Sequence, residues 1–334
     1  MKILIFSKNK PVSSSDVGMQ ITKTPHLFID YHVEKIKQAA EDIEVVIVNN
    51  DKETAEHLPD ADAIAVFPAT MPASLKDAKK LRWVHSFAAG VDKILTDEVK
   101  NSDVLVSNSS GIHKYPISEH VIGFMLILSH KFDRMFESQE KHLWEKQEDA
   151  TELRDKTLLI VGLGNIGGEI ARLGKAFGMK VIAVTREVRN EDSPADEVFP
   201  PESLNEHLGE ADFVIISVPL TDETHHLFNL ERIKKMKPSA ILMNIGRGQI
   251  IHEQELVEAL KQKIIAGAAL DVTEEEPLPS TSPLWDMENV IITPHNSGLS
   301  ERQMDRAIDL LCENIKAFVK GDKLVTQVDK EKGY

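Results

Sequence analysis

A chain of 334 residues, at a prior of about 150 per domain, reads as two domains, and 42% hydrophobic with 28% charged residues is an ordinary globular mixture. Thirty-nine basic against 54 acidic side chains leave a formal charge of −15, which opposes non-specific binding to nucleic acid or anionic lipid because both are densely negative. A small anionic ligand in a locally basic pocket is not excluded, whereas the single cysteine, Cys312, excludes an intrachain disulfide framework and a multi-cysteine metal cage.

At the N-terminus the apolar run 3–6 stops before Lys8 and Lys10, too short for a signal-peptide core; a cytoplasmic protein is expected. Strands are predicted at 2–6, 44–48, 63–67, 82–86 and 104–107, with helical patterns such as 31–40 between them. A long helix follows over 116–141. Pro116 in its first turn costs little, because the amide it lacks is unpaired there anyway. Ile117, Val121, Phe124, Met125 and Leu128 share a face of it. The eight apolar residues 121–128 are far short of the roughly 20 a bilayer span needs. A second strand series runs 157–162, 180–184, 213–217, 240–244, 264–270 and 290–293, nearly all apolar, as strands buried on both faces should be. The stretch 301–320 carries Met304, Ile308, Leu311, Ile315 and Phe318 on one side; a return of this helix onto the first domain would make that domain discontinuous. The charged tail after Gly321 is expected to be loosely held. Strand and helix alternate throughout, the pattern of α/β domains with parallel sheets covered on both faces.

Gly162-Leu-Gly164-Asn165-Ile166-Gly167 follows an apolar strand and opens a helix. The first glycine permits the tight turn, the second lets backbone approach a pyrophosphate, and the third lets helix and strand pack closely. After the next strand, where a site for NAD would carry an acid for the ribose hydroxyls, stand Thr185 and Arg186, with Arg189 nearby. No carboxylate repels a 2′-phosphate there, and guanidiniums can pair with it. NADPH is therefore favoured, with NADH possible; Arg186 stacked on adenine, or merely solvated, is the alternative.

Three polar spots sit just beyond buried strands of the second series, where ligands bind in open α/β sheets: Arg247; Asp271 with Glu276; and His295. Each has a bland reading. Arg247 can be an ion-paired surface residue, Glu276 part of a solvated acidic run from Glu274, and His295 a loop residue bonded to backbone. Beside a dinucleotide loop, their conjunction suits one job. The arginine grips a substrate carboxylate, the histidine exchanges a proton with a neighbouring oxygen, and the carboxylate orients the imidazole and favours its charged form.

Taken together these residues resemble the D-isomer-specific 2-hydroxyacid dehydrogenases. The resemblance covers about residues 80 to 300. It is carried by Ala88-Ala89-Gly90-Val91-Asp92, Trp144, the glycine loop, Val218-Pro219-Leu220-Thr221-Asp222-Glu223-Thr224, Asn244-Ile245-Gly246-Arg247-Gly248, Leu270-Asp271-Val272, Glu276-Pro277-Leu278 and the run from Asn289 to His295. It implies two doubly wound parallel-sheet domains, a Rossmann dinucleotide-binding domain (108–298) inserted into a flavodoxin-like substrate domain (1–107 and 299–334), with the active site in the cleft between them. It implies an oxidoreductase that reduces a small 2-oxo acid, glyoxylate or hydroxypyruvate, to the D-2-hydroxy acid. Arg247 would bind the carboxylate together with the amides of Ala89 and Gly90, His295 would be the general acid, and Glu276 its partner. Gly162, Gly164, Asn165, Ile166, Gly167, Val218, Pro219, Thr224 and Ile245 would join Thr185 and Arg186 around the cofactor, and Asp271 would touch the nicotinamide amide. A homodimer is implied as well, with its interface on the nucleotide-binding domain. Met71, Phe87, His113, Tyr115, His120 and Trp285 are candidates for contact with the substrate side chain.

Departures narrow this picture. Thr185 replaces the aspartate of NAD-specific members, and Glu276, where formate-oxidising relatives carry glutamine, argues against formate. Asn296-Ser297 replaces the apolar residue and glycine more usual after the histidine. The competing class is a nucleotide-sensing regulatory binding protein on the same scaffold, against which the intact Arg247, Glu276 and His295 set stands.

Overall fold

The computed structural model describes residues 1–7, 29–186 and 193–333; Lys8, Lys10 and Arg189 lie outside the described residues. It forms two compact units, Met1–Ile112 with Leu299–Tyr334, and His113–Gly298.

In the first unit, β1 (Lys2–Phe6), β2 (Glu44–Val48), β3 (Ala63–Val66), β4 (Trp83–Ser86) and β5 (Leu105–Ser107) pair in parallel, in the order β2-β1-β3-β4-β5. That is the flavodoxin-like doubly wound order. Helix Gln303–Lys320 does return to this unit: Met304, Ile308, Leu311 and Ile315 are buried in a cluster with Ile3, Ile5, Trp83 and Phe87. Each such side chain taken fully from water contributes about 1.5–3 kcal/mol.

In the second unit, β6 (Thr157–Val161), β7 (Lys180–Val184), β8 (Glu197–Phe199), β9 (Phe213–Ile216), β10 (Ile241–Asn244), β11 (Gly267–Leu270) and β12 (Val290–Ile292) form a parallel sheet in the order β12-β11-β10-β9-β6-β7-β8. The order reverses between β6 and β9, the crevice in which doubly wound sheets bind their ligands. Register aligns the strand ends: Val184, Val161, Ile216, Asn244, Leu270 and Ile292 stand side by side across six strands. Every motif singled out in the second half begins within a few residues of this row, so the fold delivers all of them to one edge of the sheet.

Three expectations are corrected. The long helix is two, Lys114–His130 and Phe132–Glu140, hinged at Lys131, whose φ of 59° breaks the α-helical path without a glycine or proline to announce it. β8 has only three residues and sits at the sheet edge against β7, too short to show as an apolar run. The segment after Gly321 is not loose: Leu324 and Val328 are buried, and Asn108 and Val106 bond to its backbone at Thr326 and Val328. Among the described residues, no helix is long and apolar enough to cross a membrane.

Candidate active site

The glycine loop has the geometry its residues require. Gly162 has φ +102°, and a Cβ there would stand 2.5 Å from the Ser217 carbonyl oxygen; one on Gly167 would stand 2.0 Å from that of Gly162. A Cβ on Gly164 would meet nothing within 4 Å. Gly162 and Gly167 are thus needed for packing, and Gly164, the N-cap of helix Asn165–Ala176, presents open backbone at the positive end of a three-turn helix. This is the arrangement that accepts a pyrophosphate. Thr185 continues from β7, its amide bonded to the Phe199 carbonyl. The neighbouring Arg186 adds to the Thr221 hydroxyl's bond in holding the Glu223 carboxyl below its usual range. Val218 packs at the first glycine, and the Thr224 hydroxyl closes the 219–224 turn on the Pro219 carbonyl at 2.7 Å. Ile245 is buried in the core against Met243 and Ile215.

Arg247 follows β10 in a loop shaped by Asn244, which is fully buried. Asn244 Nδ2 donates to the Arg247 carbonyl at 2.9 Å and its Oδ1 accepts the Gly246 amide at 3.0 Å. Exposed at the surface, the Arg247 guanidinium makes one hydrogen bond, 2.8 Å to the Gly246 carbonyl, and no ion pair among the described residues. In a chain of charge −15, an arginine left without a carboxylate keeps four of its five donors for something else. The ion-paired surface reading fails here.

His295 stands on the loop after β12, with φ 53°. Its Nδ1 lies 2.9 Å from Glu276 Oε2. An ionised carboxylate can only accept, so Nδ1 carries the proton and Nε2 faces outward from the pair. β10, β11 and β12 are neighbours, so the Arg247 and His295 loops leave the sheet two strand spacings apart, about 10 Å. That is within reach of a long arginine and an imidazole converging on one small molecule.

Asp271, expected at the nicotinamide, is tied into the loop after β12. It is 2% exposed. Oδ1 accepts from the Thr293 hydroxyl at 2.6 Å, the Asn296 amide at 2.9 Å and the Ser297 amide at 3.2 Å; Oδ2 accepts from the Ser297 amide and hydroxyl. These bonds fill a carboxylate's roughly four acceptor sites, and the Asp271 carbonyl takes the His295 amide as well, at 2.8 Å. Asp271 is the hub around which the histidine loop is folded. Behind it, His120 Nε2 is 3.1 Å from the Thr293 hydroxyl. Since that hydroxyl donates to Asp271, His120 Nε2–H is the donor. Burial pushes the His120 imidazole down in pKa, with the Asp271 charge pulling the other way.

Of the acidic run, Glu275 and Glu276 are exposed, whereas Glu274 is tied in. Glu274 Oε1 is 2.8 Å from His226 Nε2, Oε2 accepts the Glu253 amide at 3.2 Å, its amide donates to Glu253 Oε2 at 3.0 Å, and its carbonyl accepts from Gln249 Nε2 at 2.8 Å. Burial opposes the Glu274 carboxylate, but the His226 and Glu253 bonds outweigh it and hold its pKa below the usual range; burial pushes Glu253 up. Glu274 so braces the loops of β9, β10 and β11 to one another. A Cβ on Gly248 would fall 1.8 Å from the Thr273 carbonyl oxygen, a measure of how close the Arg247 and Glu276 loops lie.

In the first unit, the loop Ala88–Gly90 leaves β4. The Ala88 carbonyl accepts the Ser109 amide at 3.1 Å and the Ala89 carbonyl accepts from Asn108 Nδ2 at 2.7 Å. Of the side-chain candidates, Phe87 is core, His113 Nδ1 donates to the Gly298 carbonyl and Trp285 Nε1 to that of Pro279. Among the described residues no three His, Cys, Asp or Glu side chains gather as a metal site.

Comparison with known proteins gives the family. The sequence model described as "D-isomer specific 2-hydroxyacid dehydrogenase, NAD binding domain" matches residues 122–297, more than half the chain. The chain belongs to the D-isomer specific 2-hydroxyacid dehydrogenase family. This dehydrogenase is 34% identical over 326 residues to a glyoxylate reductase of Pyrococcus furiosus, covering 92% of this chain and 96% of that one. Its fold is similar to that of a family protein from Aeromonas salmonicida, with TM-score 0.81, 34% identity and coverage of 98% and 99%. It is also similar to an NADPH-dependent glyoxylate/hydroxypyruvate reductase from Sinorhizobium meliloti in complex with NADP and sulfate, with TM-score 0.78, 28% identity and full coverage of both chains. The dehydrogenase is thus an NAD(P)-dependent enzyme, and the sensor alternative loses its ground. Residue types and spacing single out Arg247, Glu276 and His295 as candidates; the contacts of Asn244, Glu274 and His120 carry no such signal, because they run through backbone groups and neighbouring loops.

Proposed function

We propose that this dehydrogenase reduces a small 2-oxo acid of the glyoxylate or hydroxypyruvate kind to the D-2-hydroxy acid, with NADPH favoured over NADH. The observation that carries the reading is the Glu276–His295 pair at 2.9 Å, mounted two strands from an exposed Arg247 that has no acidic partner among the described residues. The glycine loop and Thr185–Arg186 hold the nucleotide, which when bound supplies the hydride. Arg247 grips the substrate carboxylate bidentately and fixes the carbonyl in a near-attack position; the amides of Ala89 and Gly90 are assigned to the same carboxylate. His295 Nε2 gives its proton to the carbonyl oxygen, with Glu276 at Nδ1 keeping the ring in the tautomer and orientation that this transfer needs. Arg247 also stabilises the charge that grows on oxygen before the proton arrives.

Support for NADPH is the absence of a carboxylate at the end of β7 with Arg186 next to it, together with the NADP held by the Sinorhizobium relative. We further propose a cytoplasmic homodimer. Its support on the second unit is a group of exposed apolar side chains, Met135, Leu143 and Trp144, the last 97% exposed, which line an open surface groove that a second copy can cover. The deciding experiment follows nucleotide absorbance with 2-oxo acids of graded size, from glyoxylate upward, using NADPH and NADH in turn. Glyoxylate- or hydroxypyruvate-dependent oxidation with a higher kcat/KM for NADPH is expected. Failure of the whole series with both nucleotides would end the proposal, and a strong NADH preference would end its cofactor half.

A further inference from the structure

We infer that Asn108 is a positioning residue that aims the backbone amides of Ala89 and Gly90 at the substrate carboxylate, an assignment that deepens the function proposed above and rests on it. In a planar trans peptide the C=O and N–H bonds point in opposite directions. The Ala89 carbonyl is held by Asn108 Nδ2 at 2.7 Å, so the N–H of the same peptide, that of Gly90, faces away from Asn108. The Ala88 carbonyl is held by the adjacent Ser109 amide at 3.1 Å, so the Ala89 N–H faces away from the same segment. Two consecutive amides are thereby turned to one side. Neither has a hydrogen-bond partner among the described residues, and both Ala89 and Gly90 are exposed. Adjacent N–H groups turned the same way form a concavity that suits an anion.

Asn108 is itself held on several sides. It is 8% exposed. Its Oδ1 accepts the Ser110 amide at 3.1 Å, its amide donates to the Thr326 carbonyl at 3.2 Å, and its carbonyl accepts the Thr326 hydroxyl. Thr326 is gripped in turn by the fully buried Asn314, whose Nδ2 reaches the Thr326 hydroxyl at 3.1 Å. The carboxamide therefore has one orientation: oxygen to Ser110, nitrogen to Ala89. An asparagine does both tasks at once, whereas an aspartate would set an acceptor against the Ala89 carbonyl and drive that peptide to turn.

The test compares wild type, Asn108→Ala, Asn108→Asp and Thr326→Val, with thermal melts confirming a folded chain. The readouts are KM and kcat for glyoxylate, the affinity for oxalate, an unreactive anion of similar shape, and the affinity for NADPH. Losing one well-aimed charge-assisted bond should raise the glyoxylate KM and the oxalate Kd about tenfold in Asn108→Ala. The rise should be larger in Asn108→Asp and smaller, in the same direction, in Thr326→Val; NADPH affinity should stay within about twofold. A folded Asn108→Ala with wild-type oxalate affinity would overturn the assignment even if the wild-type enzyme reduces glyoxylate as proposed. Oxalate binding that depends on Asn108 in a wild-type protein unable to reduce any 2-oxo acid would uphold the aimed amides and sink the proposed reaction instead. Equal losses of NADPH and oxalate affinity would show a merely structural residue.

Discussion

Acid should weaken the first unit through one side chain, His85. It lies in β4 with no exposed surface, its Nδ1 2.8 Å from the Ser107 hydroxyl and its Nε2 3.3 Å from that of Ser109. Trp83 Nε1–H donates to Ser107 Oγ at 2.8 Å, and the Ser109 hydroxyl donates to the Ser86 carbonyl at 3.0 Å. Each hydroxyl has one proton, so the chain is fully satisfied in one sense: Ser107 donates to Nδ1, and Nε2–H donates to Ser109. A second ring proton has no acceptor in this chain, and burial pushes the imidazole from its ordinary 6.5 down to about 3.

The unfolded chain takes up that proton near pH 6.5, while the folded one refuses it until near 3. Stability from this group is therefore complete above pH 6.5 and is lost as pH falls toward 3. Each pH unit inside the window is worth about 1.4 kcal/mol, so about 2 kcal/mol should be gone near pH 5. The measurement is urea unfolding near pH 7.5 and near pH 5, for wild type and His85→Gln, read by tryptophan emission. Trp83 is fully buried whereas Trp144 and Trp285 are 97% and 51% exposed, so the red shift reports the first unit. Wild type should lose about 2 kcal/mol more than the variant between the two conditions. Equal losses would refute the neutral, proton-refusing histidine.

Three other perturbations have defined outcomes. His295→Ala should lower kcat by about 10²-fold or more with NADPH affinity retained, and a variant keeping a tenth of wild-type turnover would remove the general-acid role. Arg186→Ala should reduce the NADPH-over-NADH ratio of kcat/KM about tenfold or more, since a charge-assisted contact to the 2′-phosphate is lost; an unchanged ratio places the phosphate elsewhere. Gly248→Ala puts a methyl group 1.8 Å from the Thr273 carbonyl oxygen and should cost about 3 kcal/mol or more in the second unit, read as a lowered melting transition with weakened glyoxylate reduction.

Much of this molecule was legible because its sheets are parallel and covered on both faces. Such strands must be nearly all apolar, so 2–6, 44–48, 180–184 and 213–217 stand out from their polar surroundings, and the glycine loop is marked by the residues its turn demands. Legibility stopped where a single contact outweighs pattern. Lys131 adopts φ 59° inside an otherwise continuous helical periodicity. Leu324 and Val328 anchor a charged tail through only two buried side chains. In the candidate site, arginine, carboxylate and histidine are picked out by type, but the groups around them are not. Asp271 serves backbone and hydroxyl groups of the 293–297 loop, Glu274 hides within an acidic run, and Asn108 acts on a carbonyl nineteen positions away. Partners of that kind leave no spacing to read.

The discontinuity of the first unit imposes an order on biosynthesis. Residues 113–298 are contiguous and can close their sheet while the ribosome is still adding chain. The five strands made before them must wait, half-covered, until helix Gln303–Lys320 emerges to seal Ile3, Ile5 and Trp83, and until Thr326 arrives to clasp Asn108. The earliest-made segment is the last to mature, and premature termination between residue 298 and helix Gln303–Lys320 should leave a nucleotide-binding half that is sound and a first unit that cannot close its core.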